Sequence, residues 1–115
     1  MCLQITKDLK SYSKYIKELR ITPIYGGSDI RKQMRELKMG SQIVVGTPGR
    51  VLDLLNKRKL DLKNIEVLVL DEADEMLNMG FKEDIDLILE GTNTNKQILL
   101  FSATMPKEVL KISKN

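Results

Sequence analysis

The sequence predicts an α/β fold, a parallel sheet with helices on both faces, and three observations predict it. Segments with helical apolar spacing alternate with short β-branched runs along the whole chain, as parallel strands joined by crossover helices require. The run from Ile65 to Leu70 is dense in apolar and β-branched residues and stops abruptly at Asp71. Each strand-like run also exits into a turn rich in glycine, proline, small hydroxyls or acids. Open sheets of this kind bind ligands beyond the carboxyl ends of their strands. The turns that matter are therefore Gly26-Gly27, Thr47-Pro48-Gly49-Arg50, Asp71-Glu72-Ala73-Asp74 and Ser102-Ala103-Thr104.

The elements follow in order. Ile5, Leu9, Tyr12, Ile16 and Leu19 recur at steps of four and three, so a helix is expected over residues 3 to 18. Arg20–Tyr25 is a strand, and Pro23 makes it an edge strand, since proline cannot donate to a ladder. Gly26-Gly27 breaks the chain. Ser28 or Asp29 caps a helix through about Lys38, with Ile30, Met34 and Leu37 inward, and Gly40 ends it. A strand follows at Gln42–Val45. Thr47-Pro48 opens a helix, proline standing where a missing N–H costs nothing, with Val51, Leu52 and Leu55 as its buried face. Lys57, Arg58 and Lys59 suit its C-terminal dipole. Ile65–Leu70 reads as a strand buried on both faces. Helices are expected at Ala73–Asn78, stopped by Gly80, and at Lys82–Glu90, with Ile85, Ile88 and Leu89 inward. After a loop at Gly91–Asn95 comes a buried strand, Gln97–Phe101, and Pro106 starts a last helix. Met34, Met39, Met76 and Met79 are expected in the core or at its margin.

Composition narrows the chemistry. At 115 residues the chain is one small domain or a piece of one. No histidine is present, which excludes a Ser-His-Asp triad, a Cys-His pair and a histidine-ligated zinc. One cysteine, Cys2, excludes disulfide frameworks and suits a reducing compartment. No apolar stretch approaches the ~20 residues that span a bilayer, and the first residues lack the features of a secretory signal. A cytoplasmic location is expected. The formal charge of +3 divides unevenly: residues 1–60 carry thirteen Lys and Arg against five acids, and residues 61–115 six Lys against eleven acids. A basic half fits a polyanion and an acidic half can hold a divalent metal. Read alone, the same charges are also solvated helix faces.

The exits have definite chemical capacities. A carboxylate at Asp71 sits where a strand delivers it to the phosphate end of a nucleotide site, fit to hold Mg²⁺ through water. Glu72 stands where it can polarise a water for attack on a γ-phosphate. Taken alone, the pair equally serves the N-terminus of the following helix. Thr47-Pro48-Gly49-Arg50 offers a hydroxyl, helix-start N–H groups and a guanidinium for a phosphodiester, and Gly26-Gly27 lets a polymer backbone approach the main chain. Taken alone these are a proline-started helix and a flexible turn. Ser102 and Thr104 have no histidine base for nucleophilic work and read as hydrogen-bonding switch residues.

Together these residues resemble the DEAD-box ATP-dependent RNA helicases. Val67-Leu68-Val69-Leu70-Asp71-Glu72-Ala73-Asp74-Glu75-Met76-Leu77, with Gly80-Phe81, is similar to motif II. Ser102-Ala103-Thr104-Met105-Pro106 resembles motif III, Thr47-Pro48-Gly49-Arg50 motif Ib, and Tyr25-Gly26-Gly27 the GG motif. Four such matches in order, each at a strand exit, are specific jointly where each alone is not. The resemblance implies a three-layer RecA-like (P-loop NTPase) sheet, with ATP and Mg²⁺ as ligands and RNA as partner. It implies Asp71 on Mg²⁺, Glu72 as base for the hydrolytic water, and Asp74 linked through Ser102 and Thr104 to coupling between ATP state and strand separation. It also implies Gly26, Gly27, Thr47, Pro48, Gly49 and Arg50 on the RNA backbone. Contacts of that kind position a strand without reading its sequence.

The chain departs from the family in what it contains. No glycine is followed by lysine, so the GxxxxGK[ST] phosphate loop is absent, as are the Q motif and a second helicase domain. Cys2-Leu3-Gln4 looks like the residues just after motif Ia. Residues 1–115 are therefore expected to be an incomplete first RecA-like domain, inactive in isolation. Its P-loop strand beside Gln97–Phe101, and the motif Ia strand between the Asp71 and Thr47 strands, are expected to be missing. Unpaired strand edges then invite self-association. The alternative is a non-catalytic RNA-binding or competing fragment of the same fold. A receiver-like domain with Asp71 as phospho-acceptor wants further acids at another strand exit and a late-strand lysine, which the other turns do not supply.

Overall fold

The computed structural model describes residues 2–93 and 95–113. The elements are α1 (Cys2–Tyr12), β1 (Ile21–Ile24), α2 (Ile30–Lys38), β2 (Ile43–Gly46), α3 (Pro48–Asn56), β3 (Val67–Leu70), α4 (Ala73–Asn78), α5 (Lys82–Glu90), β4 (Gln97–Leu100) and α6 (Lys107–Ser113). They form two compact units, Met1–Leu60 and Asp61–Asn115. That division coincides with the boundary between the basic and acidic halves of the sequence. Each unit holds one two-stranded ladder, β1–β2 or β3–β4, and both ladders are parallel. No described helix is long and apolar enough to cross a membrane.

In the first unit Ile21↔Ile43 through Ile24↔Gly46 set the register. Pro23 lies mid-strand, tolerated because β1 pairs on one side only. Helices α1 and α2 pack on β1, and Ile21, Ile24 and Leu54 are buried. The Cys2 thiol donates to the Val45 carbonyl at 3.1 Å, tying α1 to β2, and burial pushes its pKa up. It is a packing group. Asp29 caps α2 by accepting from the Arg31 N–H at 2.9 Å, and that bond holds its carboxyl below the ordinary value.

Three expectations for this unit are corrected. The first helix ends at Tyr12, not near residue 18. The Ser13 hydroxyl donates to the Leu9 carbonyl at 2.7 Å, a local bond that competes with helix continuation, and Glu18 adopts a left-handed φ of 67°. Tyr12 is accordingly 82% exposed and Ile16 is exposed as well. In α3 the buried face centres on Leu54, while Val51, Leu52 and Leu55 are half-buried. In α2 the residue most deeply inward is Gln33, with Ile30, Met34 and Leu37 half-buried around it.

In the second unit Val67↔Gln97 through Leu70↔Leu100 set the register. Leu70, Ile85 and Ile112 form its core, with Met76, Leu77, Phe81, Leu89 and Leu100 packed against them. Helices α4 and α5 span Ala73–Asn78 and Lys82–Glu90, as the apolar spacing predicts. The expectations that β3 is buried on both faces and that β4 is a buried strand are overturned. Val67 is 49% and Val69 51% exposed, and Leu99 is exposed beside them. Alternate residues of a strand point to opposite faces, and only the face bearing Leu70 is covered among the described residues. Met39 and Met79 are also exposed. Each occupies the C-cap of its helix, where the side chain leaves the packed face.

Gly46 closes β2 in a space that admits no side chain. A Cβ there would lie 2.5 Å from Val51 Cγ2 and 2.7 Å from Ile24 Cγ1. Gly46→Ala is expected to cost about 1–3 kcal/mol, the usual range for overpacking, read as a lower urea midpoint at unchanged slope.

Candidate functional site

The strand register pairs the sequence motifs. In the first unit Ile24 lies opposite Gly46, so Tyr25-Gly26-Gly27 and Thr47-Pro48-Gly49-Arg50 leave the ladder side by side. The Thr47 N–H donates to the Ile24 carbonyl at 3.0 Å, one step beyond the ladder. Pro48 takes the first helical position of α3, and Thr47 stands at its N-cap without a side-chain capping bond. Its hydroxyl is thus not spent on the helix. Gly27 has a φ of +81°, which L side chains rarely adopt, and nothing stands within 4 Å of where a Cβ would lie at Gly26, Gly27 or Gly49. The main chain of both turns is open to approach.

The Arg50 guanidinium is bonded within the protein. Its Nη1 donates to Gln33 Oε1 at 2.9 Å, and Nη1 and Nη2 both donate to the Ser28 carbonyl at 3.3 Å. Gln33 Nε2 in turn donates to the Tyr25 carbonyl at 3.2 Å. Sequence reasoning missed Gln33. Its only signal was an amide at a helix position three residues after Ile30 and four before Leu37, inside the apolar stripe.

In the second unit Leu70 lies opposite Leu100, and the ladder again extends into the exits. The Phe101 N–H donates to the Leu70 carbonyl at 2.9 Å, and the Ala73 N–H donates to the Phe101 carbonyl at 3.0 Å. Asp71 and Glu72 are exposed there, on a cleft of about 420 Å³ lined also by Asp74, Glu75, Phe101, Ser102 and Ala103. Glu72 holds a left-handed backbone, φ 53° and ψ 47°, a conformation that costs a non-glycine residue roughly 1–2 kcal/mol. Strain of this kind collects at functional positions.

Asp74 behaves differently from its two neighbours. It is 7% exposed, and its Oδ2 accepts from both the N–H and the hydroxyl of Thr104, each at 3.0 Å. Its Oδ1 accepts from the Glu75 N–H at 3.0 Å. The Asp74 N–H donates to Ser102 Oγ at 3.2 Å, and that hydroxyl donates to the Thr104 carbonyl. Burial pushes the Asp74 pKa up, but bonds from Thr104, Ser102 and Glu75 outweigh it and hold the carboxyl below its ordinary 3.8. Asp74, Ser102 and Thr104 are joined in one hydrogen-bond network.

A magnesium ion fits the donors present. Asp71 and Glu72 offer hard oxygen ligands at the open end of a cleft, and no group of three or more His, Cys, Asp or Glu side chains converges among the described residues. Mg²⁺ keeps most of its water and takes one or two carboxylates rather than a protein cage.

Comparison with known proteins follows the same lines. Residues 1–112 match the family model of the DEAD/DEAH box helicases. The ATP-dependent RNA helicase CshA of Listeria monocytogenes is 54% identical over 112 residues, which are 97% of this chain and 21% of that protein. A DEAD-box ATP-dependent RNA helicase CshA of Bacillus cereus is 52% identical over 113 residues, with 98% and 21% covered. Among solved structures, a DEAD box protein from Methanococcus jannaschii superposes with a TM-score of 0.85 at 48% identity, over 97% of this chain and 31% of that one. A hypothetical ATP-dependent RNA helicase from Sulfolobus tokodaii gives 0.90 at 38%, over 98% and 34%. The chain spans about a fifth of the length of the curated relatives it matches.

The Asp74 network generates a pH prediction. A carboxyl whose folded pKa lies below its unfolded one contributes stability that is complete above the unfolded value, near 3.8, and lost as pH falls through the folded value. Carboxyl NMR should find the Asp74 midpoint below 3.8. Thr104→Val should return it upward and weaken the extra stability at pH 7 relative to pH 3. An unmoved midpoint would show that Thr104 does not hold this carboxylate.

Proposed function

The chain belongs to the DEAD/DEAH box helicase family, and we propose on that premise that it is part of an ATP-dependent RNA helicase coupling ATP hydrolysis to sequence-independent RNA binding and strand separation. Residues 1–115 form part of the first RecA-like, ATP-binding domain. The observation that carries the reading is the Asp74 carboxylate, buried and bonded to the N–H and hydroxyl of Thr104. It joins the turn that would face nucleotide to a second turn, so displacement of one strains the other.

The roles follow from environment. Asp71, exposed and uncommitted to the Thr104 network, would hold Mg²⁺, with ATP as the substrate. The ion when bound neutralises phosphate charge and orients the γ-phosphoryl group. Glu72 accepts the proton of the attacking water, its exposed carboxylate being unspent on capping the helix that follows. Asp74, Ser102 and Thr104 couple nucleotide state to RNA. Gly26, Gly27, Thr47, Pro48, Gly49 and Arg50 meet the sugar-phosphate backbone, the open glycines and the unspent Thr47 hydroxyl supporting this. Backbone contacts read no bases. The location is cytoplasmic, in keeping with a lone reduced cysteine.

No Gly-Lys pair occurs in the sequence, so the phosphate-gripping loop is not among these residues. RNA-stimulated ATPase assays should show no turnover by residues 1–115 alone. In the complete helicase, Glu72→Gln should lower kcat by about 10²–10⁴, the range for a general base, with RNA affinity retained. Full activity of that variant would remove Glu72 from the role. The outer strand edges of both ladders, unpaired among the described residues, support self-association of these 115 residues, and the exposed Val67, Val69 and Leu99 add to it. Sedimentation velocity should find mass rising with concentration; a strict monomer would count against it.

A further inference from the structure

Gln33 is the largest buried polar side chain described in Met1–Leu60, 3% exposed in the middle of α2. Both ends of its amide are committed. Nε2 donates to the Tyr25 carbonyl at 3.2 Å, immediately before Gly26-Gly27, and Oε1 accepts from Arg50 Nη1 at 2.9 Å. The partners fix the amide's orientation, because a carbonyl needs a donor and a guanidinium needs an acceptor. Arg50 then grips the Ser28 carbonyl through Nη1 and Nη2, 3.3 Å each, on the far side of the two glycines. The glycine turn is thus held at both ends by two side chains that are bonded to each other.

The arrangement answers a physical difficulty. Two successive glycines have more conformational freedom than any other pair, and nothing stands near the Cβ positions of Gly26 or Gly27 to restrain them. A turn that must meet a phosphodiester in one conformation would have to lose that freedom on binding, which weakens affinity. We propose that Gln33 is a positioning residue for RNA-backbone binding that acts through Arg50, locking the Gly26-Gly27 turn to the Thr47–Arg50 turn before RNA arrives. The inference rests on the reading of these turns as RNA contacts. It adds that Arg50 serves two purposes. Three of its N–H directions are spent inside the protein, and two of the five a guanidinium carries are left for a phosphate.

The test is a double-mutant cycle on the full chain, with Gln33→Met, Arg50→Met and both together. Fluorescence anisotropy would follow a labelled single-stranded oligouridine across a KCl series, and thermal melts would report folding. Gln33→Met should weaken binding about tenfold, the scale of one lost hydrogen bond to a charged group. It should also lower the slope of log K against log salt by about 0.7, the amount for one lost phosphate contact on a single strand, although the residue carries no charge. The double variant should bind no more weakly than Arg50→Met. If Gln33→Met does not fold, Gln33→Asn, an amide too short to reach both partners, carries the same expectation. Unchanged affinity and slope, or additive losses in the double variant, would overturn the inference while leaving the RNA reading intact. Absence of saturable RNA binding by the unaltered chain would sink that reading and the inference with it.

Discussion

Parallel strand register is the constraint on which the rest of the molecule depends. Two strands that run the same way finish at the same end, and their exits must lie next to each other. Ile24 opposite Gly46 and Leu70 opposite Leu100 turn four separated stretches of sequence into two adjacent pairs. In both ladders the hydrogen bonding continues past the last strand residue, through Thr47 to Ile24 and through Phe101 to Leu70. The first residue of one exit in each pair, Thr47 or Phe101, is therefore still held by the ladder, while Gly26 and Gly27 lie beyond its reach and depend on side-chain bonds for their placement.

Environment, more than residue type, separates the three acids that follow β3. Asp71 and Glu72 are exposed at the mouth of a cleft, while Asp74 is buried and saturated with hydrogen bonds. An exposed carboxylate can exchange water and protons with a ligand. A buried carboxylate accepting three hydrogen bonds holds its charge and its geometry. Within four residues the chain thus places two exposed carboxylates and one fixed tie. The basic side of the molecule repeats the theme, with open glycines beside an arginine anchored by Gln33.

Much of this was legible in the sequence, where local rules decide the outcome. The bounds of α4 and α5 and the proline start of α3 follow from spacing and capping chemistry, as does a cap at Ser28 or Asp29, of which the structure uses Asp29. The four turns were legible because abrupt changes from apolar to acidic or glycine-rich residues mark strand exits. What was not legible depends on partners distant in the chain. Apolar periodicity carried α1 too far, because it does not register a serine hydroxyl that turns back on Leu9. The double burial expected of β3 assumed a second covering layer. Gln33 drew no reading, since its two partners lie eight and seventeen residues away. The left-handed backbone of Glu72 has no signature in a residue type that normally avoids it.

Gly46 bears on how the family's sequences can drift. It contributes no functional group, yet Ile24 and Val51 close over the place its side chain would occupy. Thr47 follows it directly, and the glycine turn begins just beyond its ladder partner Ile24. A library of random substitutions scored only for activity would rank Gly46 beside the residues proposed to touch ligand. Telling the two kinds of position apart would take a measure of folded abundance alongside the activity score, because intolerance to change reports steric necessity as readily as chemistry.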